Sequence, residues 1–140
     1  MPEQSHALKF SIVSGSYAVC QLPADASIPD WLPSSGFISI TRAVDELSVV
    51  CSSDSVPTDV KAERSWACLE LHGPFPFSMT GVLTSFLQPL GNAAVPIFAV
   101  STFNTDYVFV PAKNVDAALQ VLQNAGHELV RDPDLRPVKA

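Results

Sequence analysis

The side chains able to do chemistry are few, and most of them are spaced in ways that point nowhere. Cys20, Cys51 and Cys68 form an odd set without CxxC spacing, which suits a reduced protein better than a disulfide scaffold. Each sits in an apolar, strand-like stretch, where a thiol is expected to be buried and inert. His6, His72 and His127 show no metal-ligand spacing, so neither a metal nor a cofactor is expected. There is no GxGxxG, phosphate loop or nucleophile elbow, and no catalytic residue is assigned. The informative chemistry is instead the polar elbow Ser101-Thr-Phe-Asn-Thr-Asp106, set between two apolar runs and closed by a carboxylate.

That elbow has a counterpart. The run Phe37-Ile-Ser-Ile-Thr-Arg-Ala-Val-Asp-Glu-Leu-Ser-Val-Val50 aligns without a gap on residues 97–110, an offset of 97 − 37 = 60 residues. An acid, Glu46 or Asp106, opens the second strand in each copy. Repetition at such a period indicates two copies of one supersecondary unit, and a small-molecule sensor rather than an enzyme.

The elements that must position these residues follow from periodicity. Runs 8–13 and 17–22 around Ser14-Gly15-Ser16 read as a hairpin. The proline-punctuated stretch 23–33 holds at most one helical turn, and 53–63 one or two. Residues 66–72 alternate as a strand. Met79, Val82, Leu83, Phe86, Leu87 and Leu90 recur at helical spacing, with Ser78 as N-cap and Pro89 ending or bending the helix. After the 97–110 hairpin, Asn114 opens a helix with an apolar face at Val115, Ala118, Leu119, Leu122 and Ala125, stopped by Gly126. Residues 128–130 form a last strand. The order from 66 onward is βαββαβ, the ferredoxin-like split unit; the first half keeps its strands, but proline and serine erode its helices. The expected class is α+β: two such units in tandem, residues 7–63 and 64–130, with antiparallel sheets, helices on one face, and a loose tail over 131–140.

Composition narrows the role. A net charge of −6 with eight scattered basic residues excludes a nucleic-acid binder. No targeting segment is visible and no apolar run approaches the roughly 20 residues a spanning helix needs, so a cytoplasmic protein without membrane association is expected. At 47% hydrophobic and a mean hydropathy of +0.24, the chain is apolar for its size, which points to a partner subunit, most simply a homodimer.

The segments Gly73-Pro-Phe-Pro-Phe-Ser-Met-Thr-Gly-Val-Leu and Val95-Pro-Ile-Phe-Ala-Val-Ser-Thr-Phe-Asn-Thr-Asp-Tyr-Val-Phe-Val resemble the ACT domains of small bacterial double-ACT proteins, a subfamily that includes the cytosolic arginine sensor. The resemblance spans about residues 17–128 and is densest over 73–126. It implies ACT folds, amino-acid binding at a junction between units, and no catalysis. Carried over by position, Thr80, Gly81 and Val82 match the helix start that meets a ligand carboxylate. Thr102, Phe103 and Asp106, with Asn104 and Thr105 between them, match the turn that holds its amine and side chain. Arg42-Ala-Val-Asp-Glu46 departs from that pattern in the first repeat. Physical chemistry supports the assignment: a helix N-terminus accepts a carboxylate, Gly81 permits close approach, and Asp106 is an acceptor for an ammonium. Two other readings are a ligand-free interaction module and a small Cys/His hydrolase.

Overall fold

The computed structural model describes residues 6–130, with the expected tail at 131–140 lying outside them. Seven strands form one sheet: β1 (Lys9–Leu22), β2 (Ser39–Ala43), β3 (Glu46–Ser52), β4 (Ala62–Leu71), β5 (Phe98–Ser101), β6 (Asp106–Pro111) and β7 (Glu128–Leu129). Their order is β2-β3-β1-β4-β6-β5, with β7 pairing in parallel to the start of β1 at Lys9 and Phe10. All other pairings are antiparallel. Two helices, α1 (Val82–Asn92) and α2 (Val115–Asn124), follow β4 and β6.

The expected hairpin around Gly15 is a single 14-residue strand. Residues 14–16 form an irregularity opposite β4, where the register shifts between Val13↔Cys68 and Tyr17↔Trp66. Gly15 adopts φ 104, a conformation that absorbs the extra residues as a bulge without reversing the chain. The chain keeps its direction because β4 pairs with β1 on both sides of the bulge. β4 in turn runs unbroken through position 63/64, where a boundary between units was expected.

Alternation along the strands separates three clusters. On one side, Phe10, Leu69, Leu71, Val108 and Val110 pack under Val82, Phe86 and Leu90 of α1 and Ala118 and Leu122 of α2. The Phe10 and Phe86 rings meet edge to face at 5.2 Å. On the same side, farther along β1, Ala18, Cys20, Leu47, Val49 and Cys51 are covered by loop residues, Trp31, Leu32 and Val60 among them. The opposite side carries Tyr17, Val50, Cys68 and Phe109. There Phe37 folds over from the loop before β2 onto Tyr107 and Phe109, and Phe98 stacks on Phe109 at 4.5 Å.

Where the first half lacks helices, two arginines hold the connections. The Arg42 guanidinium donates to the carbonyls of Ala24 and Ala26, the latter at 2.9 Å. Arg64 donates to the carbonyls of Ser53, Val56 and Pro57 at 3.4, 3.3 and 2.8 Å. The stretch 53–63 supplies a 3-10 turn at Ser53–Ser55 and, after Pro57 as expected, a single turn closed by the Val60 amide donating to the Pro57 carbonyl at 3.2 Å; 23–33 forms turns without a helix.

In the second half the helices depart from expectation in detail. Gly81, not Ser78, occupies the N-cap position of α1, and Pro89 lies inside the helix, which continues to Asn92. Pro89 has no amide proton for the carbonyl four residues back, which is that of Ser85. His127 fills the gap: the Leu8 amide donates to its Nδ1 at 3.1 Å, so Nε2 carries the hydrogen and donates to the Ser85 carbonyl at 2.9 Å. α2 opens from a 3-10 turn at Ala112–Asn114, and Asn114 makes no side-chain cap. Gly126, at φ 99, ends α2 with its amide and that of His127 bonded to Gln123 and Leu122, a C-terminal stop of the expected kind.

Truncating Phe86 to Ala should cost about 3–5 kcal/mol and leave little folded protein in a thermal melt. Replacing Arg64 with Ala should cost about 1 kcal/mol, since two of its three carbonyl contacts are solvent-exposed, and lower Tm by a few degrees. A lysine at 64 should not restore it, because a single ammonium cannot span the fork of the guanidinium.

Candidate functional site

A cleft of about 290 Å³ opens between the start of α1 and the β5–β6 elbow, lined by residues from 75 to 84 and from 101 to 106. It brings together Gly81, Val82, Thr102, Phe103, Asn104, Thr105 and Asp106. Thr80 stands just beside it, and its carbonyl accepts from His6 Nε2 at 2.9 Å.

Each wall is fixed by identifiable bonds. In the elbow, the Thr102 amide donates to the Thr105 carbonyl at 2.8 Å, and the Thr102 hydroxyl both donates to that carbonyl and accepts from the Thr105 amide. The buried Thr105 hydroxyl donates to the Leu71 carbonyl at 2.7 Å, tying the turn to the end of β4. The Asn104 carbonyl accepts from the Phe75 amide at 3.0 Å. A Cβ at Gly73 would meet that carbonyl oxygen at 2.6 Å, so glycine is required where the chain leaving β4 crosses the elbow. The Asp106 carboxylate accepts from the hydroxyl of Ser101, its register partner across the hairpin.

The opposing wall is the first turn of α1. Gly81 takes the left-handed conformation, φ 81 and ψ −1, and α1 has neither a side-chain cap nor an acidic residue in its first turn. By contrast, α2 carries Asp116 in that position. The leading amides of a helix have no intrahelical acceptor, so the partial positive charge of α1 is left for something other than its own side chains. Ser85 orients the turn: its amide and hydroxyl both donate to the Gly81 carbonyl, at 2.9 and 2.7 Å. His6 reaches the same place from the N-terminal side, its amide donating to the Ser85 hydroxyl at 2.9 Å.

Sequence reasoning did not include the flanks of the cleft: Phe75, Pro76, Phe77, Met79, Leu83 and Thr84. The available signal was the pair of phenylalanines set between and after prolines at 74 and 76, outside any helical or strand period. Phe77 and Phe103 are 77% and 81% exposed, and their rings meet edge to face at 5.2 Å.

The other chemistry-bearing residues lie elsewhere. Cys20, Cys51 and Cys68 are buried. Burial pushes all three thiols up, with Cys51 raised from 9.0 to about 11 and the nearby Cys20 adding to it. His72 Nε2 bonds the Ser11 hydroxyl at 3.0 Å, and His127 serves α1. Among the described residues no group of three or more His, Cys, Asp or Glu could hold a metal ion.

Two outcomes follow. Gly73→Ala should displace the 102–105 turn, lowering Tm and altering the environment of Phe103 in the fluorine spectrum of fluorophenylalanine-labelled protein. The thiols should resist iodoacetamide at pH 8 in the native state and react on denaturation. The protonated thiol is the form the fold favours, so its contribution to stability is complete below the unfolded value and is lost as pH rises from 9 toward 11. Chemical denaturation across that range checks it, with Cys51→Ser as the less sensitive comparison.

Comparison with known proteins bears on the family and the fold. A family model described as an ACT domain matches residues 61–124, and an N-terminal-domain model matches 15–59. The human protein named cytosolic arginine sensor for mTORC1 subunit 1 is 24% identical over 131 residues, 87% of this chain, and the chain spans only 40% of that relative's length. A crystal structure of an Agobacterium tumefaciens protein is 40% identical, covers 91% of this chain and 96% of its own, and superposes with a TM-score of 0.86. The ligand-free regulatory subunit of aspartate kinase from Thermus thermophilus shares the fold at 14% identity and a TM-score of 0.52, covering 81% of this chain and 98% of its own. The chain carries an ACT domain over residues 61–124 and is related to the cytosolic arginine sensor.

Proposed function

We propose that this protein is a non-catalytic amino-acid sensor whose ligand lies in the cleft between α1 and the elbow. The observation that carries the reading is the uncapped, acid-free N-terminus of α1 sharing one cleft with the Asp106 carboxylate. An α-amino acid has complementary ends: its carboxylate meets the amides at Gly81 and Val82, and its ammonium meets Asp106 in a charge-assisted bond. Thr102, Asn104 and Thr105 shape the turn between them, Thr80 places the helix start, and Phe103 faces the side chain.

In the same reading the chain is two fused ferredoxin-like units, 7–63 and 64–130, that share the β1–β4 ladder. It acts in the cytoplasm as a homodimer, and a second copy closes the open side of the cleft. Ligand then shifts the arrangement of the copies by its difference in affinity between them. A ligand-free interaction module is the second reading. It is favoured by the half-buried Trp66, Phe98, Val100 and Tyr107 on the sheet side away from the helices.

Titration of extensively dialysed protein with the twenty amino acids separates these. At 100 times its dissociation constant, a ligand should add about 2.7 kcal/mol to stability. Asp106→Ala should weaken binding by roughly 10- to 100-fold while moving the ligand-free Tm by no more than a degree or two. Undiminished affinity in that variant would remove Asp106 from the site, and a flat panel would favour the interaction module.

A further inference from the structure

The flanks of the cleft also bear on which amino acid it takes. Asp106 is the one charged side chain among the described residues lining it. The walls beyond the polar elbow are Phe75, Pro76, Phe77, Met79 and Phe103. Phe77 and Phe103 stand largely in solvent, with Met79 41% exposed beside them. Their rings stand perpendicular to each other, 5.2 Å apart, and both line the cleft. Large apolar side chains grouped at the rim of a polar cleft mark a binding surface.

Charge accounting sets the class. The ligand's ammonium takes Asp106, and its carboxylate takes the helix start. A third charge, on the side chain, would find no further countercharge among the described residues that line the cleft. A guanidinium or ammonium is attracted to a phenyl face, yet here it would compete with the ligand's own ammonium for a single carboxylate already bonded to Ser101. An acidic side chain would meet Asp106 as a like charge. A neutral apolar side chain instead removes exposed phenyl and thioether surface from water, which is favourable in proportion to area, and a ring or sulfur gains the contacts specific to aromatics.

We propose that the ligand is an α-amino acid with a neutral, apolar side chain, aromatic or thioether in character, which Phe77, Met79 and Phe103 cover. This rests on the amino-acid reading above and assigns its selectivity to the rim. The test is calorimetric titration of the full chain with L-phenylalanine and L-methionine against L-arginine, L-lysine and L-glutamate. Phenethylamine and 3-phenylpropionate, each lacking one charged end, serve as probes of the head group.

Phenylalanine or methionine should bind at least about tenfold more tightly than any charged amino acid. Both one-ended analogues should bind more weakly than phenylalanine. The double variant Phe77→Ala/Phe103→Ala should lose affinity for phenylalanine by a larger factor than for alanine. Both rings are exposed, so its melting curve should match that of the parent and exclude misfolding. Tighter binding of arginine, lysine or glutamate overturns the selectivity and leaves the amino-acid reading standing. Equal losses for alanine and phenylalanine in the double variant overturn the role of the rim. Absence of binding by every amino acid overturns both.

Discussion

The antiparallel ladder between β1 and β4 is the constraint on which the other parts depend. It is the centre of the sheet, and each hairpin is attached to one of its two strands: β3 and β2 to β1, β6 and β5 to β4. Both helical crossovers begin from strands on the β4 side, and β7 closes onto β1. The bulge at 14–16 keeps these two long strands paired at both ends. The cleft inherits its geometry from this ladder, because the last carbonyl of β4, at Leu71, holds the Thr105 hydroxyl. Gly73, just beyond, passes under Asn104.

The two halves of the sheet solve the same covering problem by different means. In the second half, amphipathic helices lay Phe86, Leu90, Ala118 and Leu122 on the strands. In the first, proline-rich connections cannot satisfy their carbonyls internally as a helix would. Arg42 and Arg64 supply planar, multidentate donors to five of those carbonyls. Long charged side chains reach across such loops while their stems stay on apolar surface. Trp31 and Val60 then do the packing that helix side chains do elsewhere.

Much of this was legible because the chemistry is local. The acids expected to open the second strand of each hairpin do so, Glu46 at β3 and Asp106 at β6, and the stop at Gly126 follows from its positive φ. The place of Gly81 as N-cap was not legible, since Ser78 offered the better side chain and only the left-handed turn at 81 decides the start. The hairpin expected at Ser14-Gly15-Ser16 failed because the same residues suit a bulge, and the choice is made by pairing with β4, some 50 residues away. The helix continued through Pro89 for a similar reason: its missing bond is replaced from His127, a partner that no local window contains. The aromatic rim was hidden because Phe77 and Phe103 lie in segments without regular period and meet only in the fold.

The bond between His127 and the Ser85 carbonyl has a consequence for how this chain can change. Positions 89 and 127 form a donor–vacancy pair: the ring is welcome because the proline leaves an oxygen open. An ordinary residue at 89 would return an amide to that oxygen and strand a buried imidazole N–H. An apolar residue at 127 would strand the oxygen and the Leu8 amide together. A replacement that improves the helix is therefore conditional on the residue at the far end of α2, so the two sites are expected to drift together or stay put. Because Ser85 also fixes the Gly81 carbonyl, that coupling runs from the edge of the sheet to the mouth of the cleft.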